Sequence, residues 1–186
     1  MSEDANGDGL VEMVVESVRV HMLSSQHVVI LKELDRERYL PIWIGPWEAN
    51  SIAMRLQGMT AERPLTHDLF ASTLADLHVN VRRVLIVDLA RETFHARLHL
   101  VSDGREIEID SRPSDALAVA VRVGVRIFAA RDVLARAGVE PEKRDGSELE
   151  STGEAITDER LEVFRDFVNS LDAEGEHREG PEREGS

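Results

Sequence analysis

Two Arg-Pro pairs open segments with helical spacing, and each has a hydroxyl and an aspartate beside it. The first stretch holds Arg63, Pro64, Thr66, His67 and Asp68; the second holds Asp110, Ser111, Arg112, Pro113, Ser114 and Asp115. A guanidinium is a planar fork matched to phosphate, and a helix start presents unpaired N–H groups with partial positive charge. Arg63, Thr66, Arg112 and Ser114 are therefore candidates for holding a phosphate. Carboxylates bind hard divalent ions such as Mg or Mn, which makes Glu48, Asp110 and Asp115 a candidate metal set. His67 is the candidate base for activating water, with Asp68, Asp110 and Asp115 completing a catalytic group. Two such corners facing one another would enclose a phosphate-sized site. Capping accounts for the same residues without any ligand: Ser111 or Ser114 as N-cap, Thr66 as the other N-cap, and Asp115 in the first turn. The spacing matches no short metal motif, and a lone histidine beside a cap is more often structural.

The second corner is made by a change of period. Ile107 and Ile109 alternate with Glu106, Glu108 and Asp110, as in a half-buried strand, and after Pro113 the apolar residues Ala116, Leu117, Val119, Ala120 and Val123 follow helical spacing up to Gly124. Asp103-Gly104 between alternating apolar residues signals a two-residue hairpin. That turn fixes a register in which Leu98, Leu100, Ile107 and Ile109 share a core face and Arg97 lies opposite Asp110. Upstream, strands are expected at 13–23, 28–34 and 39–44 as an antiparallel meander, with Tyr39 and Trp43 on its outward face. A helix is expected over 47–57. A second follows from Pro64 with Leu69, Phe70, Thr73, Leu74 and Leu77 inward, and then strands over 79–89 and 94–101. A short strand at 126–129 and a short helix at 132–137 close this part.

The chain of 186 residues carries no cysteine, which removes thiolate chemistry and fits a reducing, cytoplasmic setting. No apolar run approaches the roughly 18 residues of a membrane helix. The net charge of -14 is uneven: -3 falls in residues 1–10 and -10 in 140–186, leaving -1 for the segment between. That middle segment has 15 Arg and one Lys. Nucleic acid is thus not excluded as a partner, although beyond Arg82-Arg83 and Arg97 no basic cluster or aromatic stacking platform stands out. The expected organisation is a polar tail at 1–10, a domain at 11–139, an acidic linker at 140–156, an amphipathic helix at 157–172 and an acidic tail at 173–186.

Three stretches, YLPIWIGPWEANSIAMRLQG, RPLTHDLFASTL and IDSRPSDALAVAVRVGVRIF, resemble the signature stretches of the bifunctional nuclease family, in order and at matching separations over about residues 11–139. The resemblance implies an α+β fold, mainly an antiparallel sheet with helices packed against it, and action on DNA and RNA. It places Glu48 in a Gly-x-x-Glu-Ala element, Arg63 through Asp68 in Arg-Pro-x-Thr-His-Asp, and Asp110 through Asp115 in Asp-Ser-Arg-Pro-Ser-Asp. Some members add a helical module related to nucleotide-excision repair proteins, where this chain has an acidic tail. The expected function is metal-assisted hydrolysis of phosphodiester bonds in DNA or RNA by a homo-oligomer, a dimer being favoured. Two alternatives are a non-catalytic nucleotide-binding or anion-binding regulatory domain, and motifs that only maintain the fold and oligomer contacts.

Overall fold

A computed structural model of the chain describes residues 9–21 and 25–141. The linker, helix and tail expected beyond 140 lie outside these residues apart from Glu140 and Pro141, as does the tail before Gly9. The chain divides into two units, Met1–Glu140 and Pro141–Ser186, and the fold is that of the first.

Seven strands form one open sheet: β1 (Leu10–His21), β2 (Gln26–Glu33), β3 (Tyr39–Ile44), β4 (Asn80–Ala90), β5 (Thr93–Ser102), β6 (Arg105–Ser111) and β7 (Arg126–Ala130), in the order β3-β2-β1-β7-β4-β5-β6. Two antiparallel meanders, β1–β3 and β4–β6, are stitched together by β7, which runs antiparallel to β1 and parallel to β4. The parallel pair requires a crossover, and α3 (Pro113–Val123) supplies it between β6 and β7. Helices α1 (Pro46–Leu56) and α2 (Thr66–Asp76) connect the meanders, and α4 (Arg131–Ala137) follows β7. Among the described residues no helix is long and apolar enough to cross a membrane.

The Asp103-Gly104 hairpin has the expected form. Both residues have positive φ, 50° and 76°, as a turn matching strand twist requires, and Arg97 pairs with Asp110, Leu98 with Ile109 and Leu100 with Ile107. The β4–β5 turn solves the same geometry without glycine, with Arg91 at φ 48° and Glu92 at φ 63°. Left-handed backbone at two side-chain-bearing residues costs about 1 kcal/mol each.

Helix α3 is the centre of the packing. Ala116, Leu117, Ala118, Val119 and Ala120 are all buried, and the three alanines let neighbours approach closely. It rests on β4, β5 and β7, with α1 and α2 alongside. Its end is set by Gly124 in the left-handed region, φ 72°.

Three expectations about faces are corrected. Leu69 and Phe70 of α2 and Leu77 just beyond its end are exposed and Leu74 is half-buried; α2 has no buried residue at all. The helix turns His67, Asp68 and Leu74 inward and leaves Leu69 and Phe70 facing outward. Ile107 and Ile109 are also exposed, because β6 is the sheet edge, whereas Leu98 and Leu100 on the same face of β5 are buried in the core with α3. Tyr39, expected on the outer face, is buried and donates to Glu37, whereas Trp43 is exposed.

Candidate functional site

The polar cluster sits where α1, α2 and α3 meet. Gly45-Pro46 opens α1 with Glu48 in its first turn, and Ser51 lies one turn further along the same face. Arg112-Pro113 opens α3, with Asp115 in the first turn and Arg122 in the last. No side chain caps either helix: the N-cap positions are Gly45 and Arg112, so the capping roles expected of Ser111 and Ser114 are not filled. Pro113 pre-sets the first turn and has no N–H of its own left unpaired there. In α2 the N-cap is Leu65 rather than Thr66, and Asp68 Oδ2 accepts the Leu65 N–H at 2.9 Å.

His67 bridges two helices. Its Nε2 lies 3.0 Å from Asp115 Oδ1 and its Nδ1 lies 3.0 Å from Ser51 Oγ. An ionised Asp115 can only accept, so Nε2 carries hydrogen and donates to it. For the neutral ring, Nδ1 is then the acceptor, and the Ser51 hydroxyl donates to it. Arg112 closes the other side: Nε donates to Asp115 Oδ2 at 2.7 Å, and Nη2 donates to Glu48 Oε1 at 2.7 Å and to Asp115 Oδ1 at 3.1 Å. Glu48 folds back into the space that a β-carbon on Gly45 would fill, which is why glycine suits that position. Burial pulls the Asp115 carboxyl upward, but Arg112 and His67 outweigh it and hold the group below its ordinary value. Hydrogen bonds to Asp115 and Glu48 push the Arg112 guanidinium above its already high value.

A second link holds α2. Arg122, 6% exposed, donates from Nε to Asp68 Oδ1 at 2.6 Å, from Nη1 to the Ala118 carbonyl at 2.9 Å and from Nη2 to the Ser51 carbonyl at 3.3 Å. Burial raises Asp68, but the Leu65 N–H and Arg122 prevail and leave it below the ordinary carboxylate value.

Of the residues expected from sequence, Glu48, His67, Arg112 and Asp115 therefore converge, and Asp68 joins them through Arg122. Asp110 does not: it is exposed and makes no ion pair with a described residue, and Arg97, although opposite it, pairs instead with Glu108 at 2.6 Å. Arg63 and Thr66 are exposed, outside the bonded network, and Ser114 is buried. Ser51 and Arg122 were not singled out by sequence. The signal available was helical spacing: Glu48, Ser51 and Arg55 share a stripe, as do Asp115, Ala118 and Arg122 on an otherwise apolar helix.

Among the described residues no three His, Asp or Glu side chains group as a metal cluster. Between Glu48 and Asp115 the cationic position belongs to the Arg112 guanidinium. A divalent ion at those two carboxylates has to displace it.

On the outer side of Arg112 lies an open groove of about 550 Å³. Its walls include Trp43 and Ile44 from β3, His27 from β2, Phe94 from β5, and Arg112 and Ser114 from the α3 corner. Trp43 is 40% exposed, and Trp47, next to the wall residue Pro46, is 82% exposed.

An open α+β sheet with a polar three-helix cluster at its connections is the class that fold and site define. The bifunctional nuclease domain matches residues 29–142, and the chain belongs to that family. Two uncharacterized proteins of Mycobacterium tuberculosis, from strains CDC 1551 and H37Rv, are each 42% identical over 161 residues, covering 86% of this chain and 94% of theirs. Bifunctional nuclease 1 of Oryza sativa subsp. indica is 26% identical over 114 residues, 59% of this chain but 34% of the rice protein. The match to the rice protein thus spans about a third of its length.

Proposed function

We propose that this chain is a phosphodiester hydrolase acting on DNA, RNA or both at the α1–α2–α3 cluster. The observation that carries the reading is His67 held between Ser51 and Asp115. A base oriented through one nitrogen by a carboxylate, with its other nitrogen on a hydroxyl, has the parts used to activate an oxygen nucleophile. The family match and the name of the rice relative support phosphodiester chemistry.

In this mechanism an attacking water takes the place of the Ser51 hydroxyl on His67 Nδ1. Its oxygen bonds to phosphorus, its proton passes to Nδ1, and the P–O bond to the leaving nucleoside breaks with its electron pair going to the nucleoside oxygen, which takes a proton from solvent water. Asp115 holds the ring and stabilises the imidazolium that forms. Arg112 braces Asp115 on the Nε2 side of the ring, and its Nη1 edge, which no described residue engages, is left for a neighbouring phosphate of the strand rather than the one under attack. Ser51 is only 6% exposed, so water reaches Nδ1 when α2 shifts, and α2 is the helix with no buried residue.

Mg or Mn assistance belongs to the same proposal. It requires Arg112 to leave Glu48 and Asp115, and Asp110, which stands outside the cluster in this structure, to move in as a further ligand. Purified chain on single-stranded DNA and RNA, with and without chelator and beside Asp115→Asn, tests both parts. Loss of cleavage in Asp115→Asn supports the site, loss with chelator supports the metal, and equal cleavage by variant and wild type overturns the assignment.

A second reading is a non-catalytic anion-binding or nucleotide-binding regulatory domain. The observation favouring it is the Nη1 edge of Arg112, which no described residue engages, whereas the filled contacts of His67 and Asp115 favour motifs that only maintain the fold and oligomer contacts. Thermal stabilisation by a nucleotide with neither a metal effect nor cleavage selects it. Exposed Leu69, Phe70 and Leu77 support a homo-oligomer, a dimer being favoured, and the absence of cysteine accords with a cytoplasmic setting.

A further inference from the structure

We infer that the groove beside Arg112 takes one unpaired nucleotide, its base against Trp43 and Phe94 and its phosphate on the open edge of Arg112. The inference deepens the hydrolase reading by naming single strands as the substrate form.

Aromatic residues make up 4% of the chain, and it has two tryptophans. Both stand exposed on either side of the Gly45-Pro46 corner, where burying them would have been the ordinary use of so much apolar surface. The groove volume falls within the roughly 300–1,000 Å³ of small-molecule clefts. Phe94 and Ile44 give it apolar walls. Flat π-faces suit a base of any identity, but only one that is out of a duplex stack.

Arg112 also lines the groove and can hold an anion there. Arg112 is 66% exposed, and its Nε and Nη2 are fixed by Glu48 and Asp115. Nη1 is left with two N–H donors and no partner among the described residues, already aimed by the bonds on the other edge. The wall continues into Ser114 in the uncapped first turn of α3. Charge in the groove is otherwise sparse and mixed: Glu92 is on one wall, and Glu48 and Asp115 offset Arg112 from behind. A long phosphate backbone is poorly served by that balance, whereas one phosphate at one guanidinium is well served. Stacking should thus dominate affinity, and salt should matter little.

Tryptophan emission of the full chain, titrated with an oligothymidylate and with a duplex of matched length, tests the inference. The single strand is expected to quench emission saturably, and the duplex is expected to bind at least ten-fold more weakly. Trp43→Ala, checked for a native circular dichroism spectrum, is expected to weaken binding about ten-fold by loss of stacking. Binding of that variant is followed by anisotropy of a labelled strand, and Trp43→Phe is expected to keep affinity within about three-fold. The logarithmic salt slope should be close to -0.7, about one phosphate. Duplex bound as well as single strand, or affinity indifferent to Trp43→Ala, overturns it. So does a dimer by sedimentation that Trp43→Ala dissociates, since Trp43 would then be covered by a second copy. Binding without hydrolysis keeps the groove and removes the hydrolase reading; hydrolysis with Trp43→Ala unaffected does the reverse.

Discussion

Replacing Arg122 by methionine should free α2 while leaving the sheet in place. The substitution keeps the apolar stem and removes the bond to Asp68 at 2.6 Å and those to the Ala118 and Ser51 carbonyls. A hydrogen bond to a charged group contributes about 1.5–3 kcal/mol. Asp68 is 37% exposed, so water recovers part of its share, and about 1–2 kcal/mol is left for the pair. The two carbonyl bonds add about 1 kcal/mol, for a total of about 2–3 kcal/mol. Because α2 has no buried residue, the loss should appear as local opening. Amide exchange of residues 66–76 should accelerate on the order of 10-fold from the Asp68 share alone, while that of β4 changes far less. A urea-unfolding cycle of Arg122→Met, Asp68→Asn and the double variant should give a coupling of about 1–2 kcal/mol. The folded value of Asp68 lies below its unfolded one, so its contribution is complete above about pH 4 and disappears as pH falls through the folded value. Additivity within about 0.5 kcal/mol, or exchange accelerated equally in α2 and β4, would refute the idea that polar links hold this helix.

The remaining predictions concern neighbouring features. Asp115→Asn should cost about 2 kcal/mol near pH 7 by weakening two charge-assisted contacts, and the difference from wild type should shrink below about pH 4, because Asp115 is also depressed in the folded state; melting curves at pH 7 and pH 3 check this. Putting Asn-Gly in place of Arg91-Glu92 relieves two left-handed residues and should raise stability by about 1 kcal/mol, seen as a higher melting temperature. Leu117→Ala opens a cavity at the fully buried centre of α3 and should lower unfolding free energy by about 3 kcal/mol in urea.

Elements were easier to read from sequence than their surroundings. Asp103-Gly104 determines a turn locally, and the turn then dictates every β5–β6 pair down to Arg97 opposite Asp110. Helix α3 was similarly plain, since Pro113 and Gly124 mark its ends and apolar spacing fills it. Alternation told that Ile107 and Ile109 share a face with Leu98, but whether anything covers that face depends on which strand ends the sheet. Helix α2 misled for a related reason: Leu69, Phe70 and Leu77 make a convincing inward stripe until Asp115, Ser51 and Arg122, distant in sequence, claim the His67 and Asp68 side. Ser51 has no motif of its own and gains meaning only when α1 and α2 are brought together. Arg97 illustrates the limit of register, which fixes its neighbour across the strand but not the diagonal carboxylate that it chooses.

The most direct measurement is the rate of hydrolysis of a labelled single-stranded oligonucleotide by the wild-type chain and by His67→Ala, purified identically and both shown to be folded. General base catalysis contributes about 10²–10⁴-fold, so the account predicts a loss of at least about 100-fold with strand binding retained. Equal rates in the two proteins, or no hydrolysis by wild type with or without Mg or Mn, would contradict it.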